Sequence, residues 1–318
     1  MRLDKSSPVR PGHLCVASAV LLLTLANLFL SGCSAQSSPP PFDAARAFAA
    51  LRKQCDFGPR PVGSQAHDSL KTYLMDELRR YTDRVSVQDF RHVRSGRTYD
   101  LSNVVASFGP SKGRALLLCA HWDTRPTADE ELDSDKRARP ITGANDGASG
   151  VAVLLELARM FSERPPAVPV TIALFDGEDF GPGNADMFLG SKHFASKIDK
   201  ADAFKYGILL DMVGDKDLQI YRESHSNSSA PEVVDKVWAA ARKLGHGSVF
   251  VDKVKYAIRD DHLPLIRQGV PCIDVIDFDY AYWHTLEDTP DKCSPESLRI
   301  VGETVAEVIY SERAASSQ

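Results

Sequence analysis

The feature that most constrains this chain is a short apolar run that ends abruptly in acid. Val170 to Phe175 is β-rich and carries no charge, the composition of a strand covered on both faces. It runs directly into Asp176-Gly177-Glu178-Asp179, where three of four residues are carboxylates. Unpaired carboxylates are costly to bury, so they are expected where the strand leaves the sheet, at its carboxyl end. In open α/β sheets that edge is where ligands bind. A single acidic turn is more often a solvated loop, but the pattern recurs. Ala115 to Ala120 is a second buried run and delivers His121, Trp122 and Asp123, and Tyr206 to Leu210 is a third and delivers Asp211. Asp146 stands just before an apolar helical stretch, and His284 follows shortly after a fourth strand, Val270 to Ile276.

Between these runs the apolar spacing changes from two to that of a helix. Helices are expected over Phe42 to Gln54, from a Ser64 cap to about Tyr81, over Val151 to Phe161, from Ser191, over Pro231 to Leu244, and from Pro295 to about Arg313. Arg84 to Arg91 and Leu101 to Phe108 read as further strands, with Leu218 to Tyr221 as an edge strand. A charged loop, Pro126 to Thr142, and a Gly/Pro-rich loop, Phe180 to Leu189, interrupt the pattern. Strands alternating with helices predict one α/β domain, residues 42–318, with a twisted, mixed, mainly parallel sheet covered by helices on both faces.

The first forty residues have another logic. Arg2, Lys5 and Arg10 precede an apolar run from Leu14 to Leu30 that ends in Leu30-Ser31-Gly32-Cys33, the layout of an export signal over residues 1–33. The ending resembles a bacterial lipobox, which implies cleavage before Cys33, lipid on its thiol and a membrane-anchored lipoprotein of the cell envelope, on the periplasmic or outer-membrane side. Residues 34–41, rich in Ser and Pro, form a tether. A net charge of −5 offers no basic footprint, so nucleic acid is not an expected partner, and a monomer is the expectation. Cys119 and Cys272 sit in apolar runs as small core residues, whereas Cys55 and Cys293 flank turns and leave a disulfide open.

Imidazole and carboxylate ligands gathered at one sheet edge suit zinc, and no thiolate spacing competes. His121-x-Asp123, Gly143-Ala144-Asn145-Asp146-Gly147-Ala148-Ser149-Gly150, Phe175 to Asp179, Leu210-Asp211 and Trp283-His284-Thr285 resemble, in order, the metal-site blocks of zinc-dependent aminopeptidases. Within that superfamily the chain looks most like the animal-type glutaminyl-peptide cyclotransferases, from the Asp56 to Arg60 loop to the last helix. Asp260, in Arg259-Asp260-Asp261-His262, and Trp283 favour that choice. The resemblance implies one zinc on Asp146, Asp179 and His284, with His121 and Asp211 completing a second site if the chain acts as a peptidase. It implies Glu178 as general acid/base, Asp211 and Asp260 as a hydrogen-bonded acidic pair, and Trp283 as an apolar wall. The substrates implied are peptide or protein N-termini. Phe278 and Tyr280 are candidates for an aromatic rim. The family generally has Glu where this chain has Asp179, one methylene shorter, which places metal binding under question. Three functions stay open: a glutaminyl cyclase, a di-zinc aminopeptidase hydrolysing N-terminal residues, and an inactive peptidase-like surface module.

Overall fold

The computed structural model describes residues 39–183, 185–199 and 203–313. The expected signal segment with Cys33, and the tether through Ser38, lie outside the described residues. In chain order the elements are α1 (Ala44–Cys55), α2 (Gln65–Arg79), β1 (Val85–Arg94), β2 (Arg97–Phe108), β3 (Ala115–His121), α3 (Ser134–Arg137), α4 (Ala148–Glu163), β4 (Val170–Phe175), α5 (Leu189–Ser196) and β5 (Phe204–Asp211). There follow β6 (Ile220–Arg222), α6 (Ser224–Ser229), α7 (Pro231–Lys243), β7 (Phe250–Val254), α8 (His262–Arg267), β8 (Cys272–Ile276) and α9 (Pro295–Ser311).

Six strands form the main sheet in the order β1-β2-β4-β3-β5-β8. The β4, β3, β5 and β8 strands run parallel, while β2 is antiparallel to both β1 and β4. The expected mixed, mainly parallel sheet is thus present. Alternation along the buried strands divides the core. Leu116, Leu118, Ala120, Ile208 and Leu210 face α4, α7 and α9 across one large cluster. Leu117, Cys119, Ala173, Phe175 and Leu209 face a smaller cluster with Phe194 of α5 and Leu265 of α8. Each strand is therefore apolar on both sides, as its composition required.

The chain leaves β3 to build β4 on one side of it, then crosses back to build β5 on the other. The carboxyl edge of β3 is therefore a topological switch point, where the two crossovers part and a crevice opens. Gly150 on α4 sharpens this corner, because a Cβ there would stand 2.1 Å from the carbonyl oxygen of Leu210 at the end of β5. The rear of the corner is tied by Arg60, fully buried, which donates to the carbonyls of Thr142 at 2.7 Å and Gly143 at 2.8 Å.

Several elements differ from expectation. The first hairpin is longer, because β1 and β2 pair through Arg94↔Arg97 across a tight turn in which Ser95 and Gly96 both take positive φ. The polar outer halves of these strands hide their strand character. A second, two-stranded sheet of β6 and β7 and the short helices α3 and α6 were not expected. Cys55, Cys119, Cys272 and Cys293 are all free thiols.

Candidate metal centre and active site

Of the residues expected at the sheet edge, Asp146, Glu178, Asp179, Asp211 and His284, supported by His121 and Asp123, line one cavity of ≈ 270 Å³. Its floor is built by the carboxyl ends of the parallel strands. His121 ends β3 and Asp211 ends β5, and the Nε2 of His121 lies 3.2 Å from Oδ1 of Asp211 and 3.1 Å from Oδ1 of Asp146. After β4, Gly177 turns the chain at φ +71°, where a side chain would also strike Leu101. That turn is pinned by Asp123, whose two carboxylate oxygens each accept a backbone N–H, from Glu178 and from Asp179, at 3.1 Å.

Asp146 precedes a helix, which suggests an ordinary cap, but it does not act as one. The position before α4 is occupied by Gly147 with no side-chain cap, at φ +104°. The backbone N–H groups of Asn145 and Asp146 are taken instead by the Asp288 carboxylate, at 2.8 and 3.1 Å. The Asp146 carboxylate is thereby left to face the two imidazoles. The Nε2 of His284 stands 3.5 Å from Oδ2 of Asp146 and 3.5 Å from Oδ1 of Asp179. His284 itself holds a left-handed backbone, φ +53°, a strained conformation for a non-glycine residue and one often found at functional sites.

Whether these groups suit a metal is decided by their unmet needs. Oδ2 of Asp146 and Oδ2 of Asp179 are buried with no hydrogen-bond partner. Tetrahedral zinc with bonds of ~2.1 Å needs ligand atoms roughly 3.4 Å apart, and the two 3.5 Å separations around His284 match this. Asp179, although shorter than Glu, therefore keeps its reach. The electrostatics agree. Burial alone would depress His284, but the hydrogen bonds it donates to Asp129 and Asp179 push it up to about 10, so the carboxylates around it call for positive charge. His121 is likewise raised well above its ordinary value, burial being outweighed by Asp123, Asp146 and Asp211. The cluster Asp146, Asp179 and His284 and the cluster His121, Asp146 and Asp211 share Asp146, so the fold offers ligands for one ion or for two.

Glu178 sits beside these ligands and is 7% exposed. Burial first and Asp179 second raise it well above the usual carboxylate range, the direction required of a group that exchanges protons near neutral pH. Asp260 is also raised well above normal, by burial and then by Asp211. The expected hydrogen bond between Asp211 and Asp260 is not formed. Oδ1 of Asp260 accepts the Asp261 N–H, its Oδ2 has no partner, and Asp211 turns toward His121. The two carboxylates are neighbours through charge alone.

Trp283 stacks on His284 with ring centroids 4.0 Å apart and touches Phe278 at 5.2 Å, and both line the cavity. Tyr280 does not reach this rim. It is 4% exposed and its hydroxyl donates to Oδ1 of Asp288 at 2.8 Å, so it supports the loop behind Asp146. Other participants escaped the sequence. Asp129 meets Nδ1 of His284 at 3.0 Å, and Arg125 bridges Asp129 at 2.8 Å and Asp179 at 3.1 Å. Both come from the charged stretch after β3, where no spacing marks them. Beneath Asp260 lies a buried group in which His262 stands 3.3 Å from Glu223 and 3.8 Å from Asp274.

Residues 103–309 match the model of peptidase family M28. The chain belongs to that family. Glutaminyl cyclase of Tannerella forsythia is 40% identical, with a TM-score of 0.82 over 86% of this chain and 100% of that one. A leucine aminopeptidase precursor from Bacteroides thetaiotaomicron is 36% identical, with a TM-score of 0.84 over 87% of this chain and 99% of its own. The glutaminyl-peptide cyclotransferase of Drosophila melanogaster is 27% identical over 276 residues, 76% of this chain and 75% of its own length. Family and architecture thus agree with the sequence resemblance.

Proposed function

We propose that the chain is a glutaminyl-peptide cyclotransferase that converts N-terminal glutamine of peptides or proteins to pyroglutamate and ammonia. The observation that carries this reading is the wall formed by Trp283, stacked on His284, which together with Glu178 lines a cavity of only ≈ 270 Å³. That is at or just below the low end of ligand pockets, ~300–1,000 Å³, and suits one side chain folded on itself. Likeness to glutaminyl cyclases from bacteria and from the fly supports the same choice.

Asp146, Asp179 and His284 would hold one zinc. When bound, it would act as a Lewis acid on the side-chain carbonyl of glutamine. The remaining work falls to the chain. Trp283 and Phe278 pack against the glutamine side chain and exclude water, which keeps hydrolysis from competing. Glu178 takes a proton from the α-amine as its nitrogen bonds to the side-chain amide carbon. It returns that proton to the amide nitrogen as the carbon–nitrogen bond breaks and ammonia departs. Asp260, whose carboxyl burial and then Asp211 push well above the usual range, would when protonated offer a hydrogen bond without adding charge.

The second reading, a di-zinc aminopeptidase, is favoured by one observation, the intact cluster of His121, Asp146 and Asp211. Chelation followed by zinc titration separates the two. Cyclase activity is expected to return fully at one zinc per chain, measured as ammonia released from a Gln-peptide. Activity that returns only at two, with free amino acid released, would favour the peptidase. We also read residues 1–33 as an export signal and Cys33 as a lipid attachment site, on the strength of Leu30-Ser31-Gly32-Cys33, which would place the enzyme at a cell-envelope membrane. Globomycin-sensitive processing, with palmitate incorporated at Cys33, is the expected result; palmitate retained after Cys33→Ala would contradict it.

A further inference from the structure

We infer that Arg259 selects substrates by the charge of the residue that follows the N-terminal glutamine, favouring an acidic side chain there; the inference rests on the cyclase reading. The cavity is lined on its floor by Asp146, Glu178, Asp179, Asp211 and Asp260. Arg259 also lines it, but from the exposed mouth. Its backbone is fixed there by its neighbours. Ile258 is buried and donates its N–H to Glu223 at 3.0 Å, and Asp260 is buried on the other side. The guanidinium is not consumed by the fold, because among the described residues no carboxylate pairs with it and no ring stacks on it. The nearby Lys255 differs in this respect, being neutralised by Asp279 at 2.6 Å. Arg259 is therefore an unspent positive charge at the opening of an acidic pocket.

The substrate must pass it. A glutamine with its α-amine at Glu178 directs its own carbonyl outward, and the next Cα follows ~3.8 Å further on, at the mouth. A guanidinium at the rim favours an acidic residue at that position and can grip its carboxylate with two parallel hydrogen bonds. Because the rim is wet, the interaction acts at the modest strength of an exposed ion pair and weakens with salt.

The test compares kcat/KM for three peptides that differ only after the glutamine, in Glu, Ala or Lys. The readout is the Glu-to-Lys ratio within each enzyme, which does not depend on how much of a variant folds. The ratio is expected to exceed one in the unaltered enzyme, to fall roughly 3–5-fold in Arg259→Gln, and to fall further in Arg259→Glu. Arg259→Lys should retain most of it, and added salt should lower it only where a cation is present. A ratio unchanged in Arg259→Gln, with the glutamine still cyclised, would overturn the role of Arg259 alone. Failure of all three peptides to cyclise would overturn the cyclase reading and this inference with it.

Discussion

Asp129 fixes the face that His284 turns to its partners. By meeting Nδ1 at 3.0 Å it leaves Nε2 directed at Asp146 and Asp179. Supporting carboxylates of this kind orient a ligating imidazole and raise its basicity. Asp129→Asn is expected to weaken zinc binding by about 10–100-fold, measured by competition with a chromogenic chelator. Unchanged affinity would mean that the ring is held by its stacking on Trp283 instead. Glu178 is a different case, since it touches the reaction and is not assigned to the metal. Glu178→Gln should lower kcat by at least about 10²–10⁴-fold, with zinc still present at the stoichiometry of the unaltered enzyme. Near-normal turnover in that variant would remove Glu178 from the mechanism.

Where elements meet, Gly150 sets two opposing effects against each other. Gly150 is the third residue of α4, where Gly→Ala gains less from propensity than the about 1 kcal/mol of a helix interior. Here the added Cβ would stand 2.1 Å from the Leu210 carbonyl oxygen and 3.0 Å from the Ala120 side chain. Backbone cannot yield cheaply, and overpacking of this kind typically costs about 1–3 kcal/mol. Gly150→Ala is therefore expected to lower the urea midpoint and, by moving α4 off β5, to weaken the metal site, whereas a raised midpoint would show that α4 and β5 have room to part. Elements like these were legible in the sequence because β3, β4 and β5 each carry an unbroken apolar run, residues 116–120, 172–175 and 208–210, that leads straight into polar residues. The outer ends of β1 and β2, beyond Arg91 and before Leu101, were not, since half-buried Arg94 and exposed Arg97 and Thr98 form no apolar pattern there. The β7 strand was hidden for the same reason, with Asp252 and Lys253 both exposed.

At the scale of the molecule, the fold gathers carboxylates and imidazoles from distant parts of the chain into a pocket that calls for a cation. The ligand candidates could be read from sequence because each stands just beyond a strand or before a helix. Their supports could not. Asp129 and Asp288 come from polar loops without periodicity, and only the folded chain shows that they hold His284 and Asp146. Tyr280 was misplaced for a related reason, since nothing in the run of aromatic residues says which faces the cavity and which faces Asp288. The charge balance makes a further prediction. With His284 held protonated up to about 10 in the metal-free chain, zinc must displace a proton to bind. Apparent zinc affinity should therefore rise with pH between 6 and 9, with a slope of about one decade per unit for each proton displaced, and calorimetry in buffers of different ionisation enthalpy should detect the release. A flat profile would mean that the imidazole is already neutral. The most direct test of the account as a whole is a mass-spectrometric time course of the zinc-loaded protein on two short peptides, one beginning with Gln and one with Leu. The Gln-peptide is expected to lose the mass of one ammonia while the Leu-peptide is untouched; stepwise release of N-terminal residues from either would contradict the cyclase assignment.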